Sequence, residues 1–167
     1  IADLAIEVGG ILGGIPAIGN VADVGTAMLA IVKKPPDYLL AAISILCALP
    51  AIGIGVAAFA KPIASKFSGK VAEEAAVAVG KELKTALKKE GIEVSEELIE
   101  KMESQVGEAI KGLRSSEVLE KLAETLNKDA DEITEGLDEV QDVLDTLINS
   151  LKDEADSAIR SGKDASK

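Results

Sequence analysis

Between Tyr38 and Ala60 the chain carries no charged side chain, yet Pro50 and Gly53 cut that run in two. The cut is a repeat. Ile15-Pro16-Ala17-Ile18-Gly19 returns as Leu49-Pro50-Ala51-Ile52-Gly53, 34 positions later. Proline removes a backbone donor, and glycine ends helices in conformations other residues avoid. The repeated break, carried by Pro16, Gly19, Pro50 and Gly53, therefore turns what would read as a membrane-length apolar run into short helices. Tyr38–Leu49 would measure about 18 Å as a helix, against the roughly 30 Å of a bilayer core. That length suits a buried core helix. Insertion of a hairpin on contact with a membrane is the other reading the run allows.

Charge divides the chain. Residues 1–60 carry only Asp3, Glu7, Asp23, Lys33, Lys34 and Asp37 as charged side chains; everything beyond is densely charged. We expect a boundary near Lys61, with 1–67 an apolar domain of hairpin type and 68–167 an acidic amphipathic region. Aromatics make up 2% of the sequence, so its core must be Ala, Gly, Ile, Leu and Val, which favour close helix approach. The net charge of −11 opposes binding to a nucleic-acid backbone.

Eight helices are expected. The first runs over about 2–12 and ends in Gly13-Gly14. The second starts at an Asn20 cap, with Asp23 answering it, and stops at Lys33-Lys34-Pro35-Pro36. The third begins near Pro36-Asp37 and the fourth covers about 50–67, kinked at Pro62. The pattern then predicts helices over about 70–90, closing at Gly91, and from Ser95 to about Leu113. A seventh starts after Ser115 or Ser116, and an eighth at the capping box Asp129-Ala130-Asp131-Glu132. The chain after Ala158 reads as a frayed tail. The fold class is thus all-α: an apolar four-helix N-terminal cluster, then acidic amphipathic helices ending in one with a heptad pattern.

In that last helix Ile133, Leu137, Val140, Leu144, Leu147 and Leu151 step by four and three. The flanking positions, among them Gly136, Val143, Ile148 and Ser150, lack the charges that specify a two-stranded zipper. This wider apolar face fits a bundle within one chain or a self-associating coil. We name the six residues as the candidate stripe for an oligomer or partner.

Chemistry is poorly provided for. Histidine is absent, which removes the usual general base and the commonest metal ligand. Cys47 is the one cysteine and lies in the uncharged run, where it reads as a small hydrophobe. Asn127, Asp129 and Asp131 have the spacing of a calcium loop, but Glu132 stands where that loop needs glycine. Gly9-Gly10-Ile11-Leu12-Gly13-Gly14 lacks the Lys-Ser/Thr ending of a phosphate loop and reads instead as a helix end or close packing. Pairs such as Glu73-Glu74 sit on solvated helix faces. We expect no catalytic residue, no cofactor and no metal.

The stretch Ile15–Lys61 resembles an apolar helical region of two kinds of protein: virion proteins of tailed phages and the pre-toxin regions of bacterial polymorphic toxins. The matching residues are Ile15-Pro16-Ala17-Ile18-Gly19-Asn20-Val21-Ala22-Asp23, Tyr38-Leu39-Leu40-Ala41-Ala42-Ile43-Ser44 and Leu49-Pro50-Ala51-Ile52-Gly53. The resemblance departs at Gly53-Ile54-Gly55, where an acidic or Gly-Asp ending is usual. It implies a helical region carried by particles or toxins that cross envelopes, and it transfers no catalytic residue. Pore-forming colicins also carry an apolar helical hairpin, longer and uninterrupted.

These readings lead to the expectation of a non-enzymatic structural component of a phage particle or related injection assembly, located in the virion or injected particle. Its partners would be other protein chains, as a homo-oligomer or larger assembly, with membrane contact on delivery and no nucleic acid. The alternative is a membrane-active effector with an insertable hairpin.

Overall fold

The computed structural model describes residues 7–8, 10–11, 21–49, 57–67 and 69–165, with the backbone alone at 21–22, 57–59 and 153–165. The fold is all-α. Besides helical backbone at 7–8 and 10–11, the described residues form seven helices: α1 (Val21–Val32), α2 (Tyr38–Ala48), α3 (Ala57–Ser65), α4 (Ala72–Lys89), α5 (Glu96–Leu113), α6 (Ser116–Leu126) and α7 (Ala130–Ala165). No strand occurs among the described residues.

Most helix ends follow from local chemistry. Ser95 and Ser115 accept hydrogen bonds from the amides of Leu98 (3.2 Å) and Val118 (3.4 Å), so each satisfies one orphan donor at the start of α5 and α6. Asp37 does the same for α2, accepting from Leu40 at 3.0 Å. It is the cap itself, one position outside the helix, and not a first-turn residue. Gly91, at φ +80°, closes α4: the amides of Ile92 and Gly91 donate back to Leu87 and Lys88 at 2.9 and 3.1 Å. At the end of α6 Asn127 takes the same left-handed conformation, φ 54°. Asn127 and Asp129 therefore serve as helix ends.

Two expectations need correction. Asp129 accepts from the amide of Asp131 at 3.4 Å, but Glu132 does not close a capping box; its carboxylate pairs with Lys34. The chain beyond Ala158 is no frayed tail in its backbone, because α7 continues to Ala165. Extending an existing helix needs no new nucleus, which is where most of the cost of helix formation lies.

The two regions separated by charge share one hydrophobic core. A single cluster of buried side chains runs from Val24 and Met28 through Ile43 and Leu46 to Leu83, Met102, Leu122 and Leu137. The boundary near Lys61 is thus a change in composition and not a division between two cores. Two helices organise the cluster. α7 packs against α1, α2, α4, α5 and α6, and α2 against α1, α3, α4, α5 and α7. These two differ in kind. α7 has one apolar stripe and a charged outer face; α2 has no outer face, since every residue from Ala41 to Leu49 is buried.

Candidate functional site

The most unusual local structure is the hairpin of α1 and α2. Their short connection closes through the Asp37 amide, which donates to the carbonyl of Ala30 at 3.0 Å. α2 is uncharged and surrounded, a pattern more typical of the centre of a much larger protein than of a 167-residue chain. It even carries a fully buried Ser44 whose Oγ meets no hydrogen-bond partner among the described residues. An orphaned buried hydroxyl costs about 1–3 kcal/mol, so the apolar packing around it must offset that.

The basic tip of the hairpin rests on the start of α7. Lys34 Nζ lies 3.2 Å from Glu132 Oε1, an exposed pair. The Tyr38 hydroxyl is pushed above its ordinary pKa by burial, then by the charges of Glu139 and Glu135 on the same helix. Farther down, Gly136 meets α1: a Cβ built there would overlap Cγ2 of Ile31 and stand 3.5 Å from its Cβ.

At the other end of the hairpin, Asp23 of α1 accepts a hydrogen bond from Lys61 of α3 at 2.7 Å. The Asp23 side chain is 7% exposed and that of Lys61 38%. Cys47 of α2 lies within reach of both. Burial pushes its thiol up to about 11, Asp23 adds to the rise and Lys61 opposes it. A thiol so held stays protonated and is a poor nucleophile.

The described residues also contain a cleft of about 290 Å³ between α5 and α7, lined by Glu103, Gly107, Gln141, Asp145 and Asn149 among others. Asp145 titrates above its ordinary value through burial, then through Asp142 and Glu103. The cleft offers carboxylates and amides without a nucleophile or a cation to work with them. No group of three or more His, Cys, Asp or Glu among the described residues is placed to hold a metal ion.

The residues singled out in the sequence fare differently. Pro16, Gly19, Pro50 and Gly53 lie outside the described residues, as do Asn20 and Gly9, Gly13 and Gly14. The candidate partner stripe is placed throughout: Ile133, Leu137, Val140, Leu144, Leu147 and Leu151 are each 0% exposed. They are spent inside the chain's own core, so as packed they present nothing to a second chain. The physical reason is the width of the face, because Gly136, Val143, Ile148 and Ser150 beside the stripe are buried as well. Sequence reasoning missed the Asp23–Lys61 pair. It also missed the two glycines of close approach, Gly136 and Gly80. A weak signal existed for each, in isolated charges within apolar segments and in glycines inside helices, where they cost about 1 kcal/mol against alanine.

Comparison with protein-family models, with curated proteins and with solved structures finds no match to this chain.

Proposed function

We propose that the chain is a non-enzymatic component of a delivered particle, such as a phage particle or related injection assembly, and that its fold carries an apolar helical hairpin in concealed form to a membrane. One observation carries this reading. The uncharged α2 is enclosed by helices of its own chain, all amphipathic from α4 onward, and two of these, α5 and α7, are acidic. The resemblance of Ile15–Lys61 to helical regions of tailed-phage virion proteins and to pre-toxin regions of bacterial polymorphic toxins supports the particle setting.

Among the described residues no helix is long and apolar enough to cross a membrane. Entry therefore requires rearrangement. Joined into one helix, the uncharged residues 38–60 would measure about 34 Å, enough for a bilayer core of roughly 30 Å. A proline inside such a helix is tolerated in membranes.

A staple tests the idea. With Ile31 and Gly136 both replaced by cysteine, in a Cys47→Ala background, the Cβ atoms stand at the 3.5 Å that a disulfide accepts. Oxidised protein should release no dye from phosphatidylcholine–phosphatidylglycerol vesicles. Reductant should restore release to the level of the unsubstituted chain. Absence of release from the reduced and unsubstituted forms alike, from acid to neutral pH, would sink the proposal.

A second reading keeps the particle and drops the membrane. The tight glycine contacts of α7 with α1 and α4 favour a rigid packing unit that never opens. It predicts a discrete oligomer in light scattering and intact vesicles under every condition.

A further inference from the structure

α1, α2 and α3 hold just two charged residues between them, Asp23 and Lys61, and these two meet. They lie 38 positions apart on different helices, and the carboxylate is almost wholly buried. A charge in that setting is tolerated when paired and is costly when its partner is removed.

We infer that the Asp23–Lys61 ion pair is the latch that keeps the hairpin closed, an inference that rests on the membrane role proposed above. The geometry of the two forms carries it. In the folded chain α3 packs back against α2, which brings Lys61 to Asp23 while Cys47 of α2 lies near both. In a hairpin whose second arm runs straight through residues 38–60, Lys61 would lie about 21 Å along the helix axis from Cys47, the neighbour of Asp23. The pair exists in the closed form and is lost in the extended one. Opening must therefore separate a buried carboxylate from its cation, and the barrier to release sits at this contact. The exposed Lys34–Glu132 pair at the hairpin tip contributes little, because solvent screens it.

Dye release from the same vesicles tests the latch. Asp23→Asn is nearly isosteric, and Lys61→Met keeps the apolar stem of the side chain. Both should release dye about tenfold faster than the unsubstituted chain, or more, while Lys61→Arg, which keeps the cation, should release at the original rate. Gly80→Ala, whose added Cβ would meet Ser150 and Leu147 of α7 and neither member of the pair, controls for general destabilisation. The latch is overturned if Lys61→Met and Lys61→Arg behave alike, or if Gly80→Ala accelerates release as much as Asp23→Asn does. Circular dichroism on each variant checks that it folds, and should Asp23→Asn fail to fold, the Lys61 pair of variants decides alone. Equal release from all variants and the parent overturns the latch and leaves the concealed hairpin standing. No release from any of them overturns both.

Discussion

Ser150 of α7 sits directly over Gly80 of α4: a Cβ built on the glycine would lie 2.6 Å from both Cβ and Oγ of the serine. The serine hydroxyl meanwhile donates to the carbonyl of Val77 at 2.8 Å, one turn earlier on α4. Close approach and hydrogen bond hold the same crossing. Gly80→Ala should therefore destabilise the fold by a net 1–2 kcal/mol, roughly, with overpacking outweighing the gain in helix propensity. Adding Ser150→Gly removes the obstructing Cβ. Urea unfolding of the double variant should then show less loss than the two singles summed, by more than about 0.5 kcal/mol. Strict additivity would mean that the helices do not touch there.

That crossing marks where reading the sequence stops. The serine caps of α5 and α6 and the Gly91 stop were legible because each rests on hydrogen bonds within a few residues. The heptad of α7 was legible as a buried face, but periodicity says that a face is covered and not by what. Here the cover is α1, α2, α4, α5 and α6, which is the bundle within one chain that the wide face allowed beside a self-associating coil. The Asp23–Lys61 pair was not legible at all. Its residues are 38 positions apart, and nothing local to Asp23 distinguishes a cap-answering acid from one that reaches another helix.

Leu144 is a second place to test the internal cover of the stripe. It is 0% exposed, and Leu144→Ala should cost about 2–5 kcal/mol of stability. Leu144→Asp puts a carboxylate in the same place and should abolish the folded state. The measurement is helical content by circular dichroism with mass by light scattering. A Leu144→Asp chain that stays fully helical while losing a higher-order mass would show the stripe to be an interface between chains after all.

Cys47 predicts an alkaline limb. Its thiol is raised from 9.0 to about 11 in the folded chain, so between those values the folded state holds a proton that the unfolded state has released. Stability from this group is thus complete below about pH 9 and declines as pH rises toward 11, by roughly 2–3 kcal/mol in total. Tyr38 acts in the same direction. Comparing the parent with Cys47→Ala isolates the thiol: the difference in unfolding free energy should change with pH between 9 and 11 and be flat below. A constant difference across that window would place the thiol in contact with water.

Asp145 predicts the opposite remedy at neutral pH. Burial in the α5–α7 cleft, then the charges of Asp142 and Glu103, raise its carboxyl above 3.8. Below that value both folded and unfolded chains are protonated, and the environment costs nothing. As pH climbs through the raised folded value, the folded chain must carry a charge that its surroundings disfavour, and stability falls by that amount. Asp145→Asn keeps the shape and removes the charge. It should therefore raise the melting temperature at pH 7, and the gain should shrink toward zero as the pH is lowered through the acid range. The side chain is partly solvated, so the gain is small and best read from paired melts of parent and variant in one buffer series. Should Asp145→Asn lower the melting temperature at neutral pH, the carboxylate would be accepting a stabilising contact in the cleft, and the repulsion from Glu103 and Asp142 would be the weaker influence.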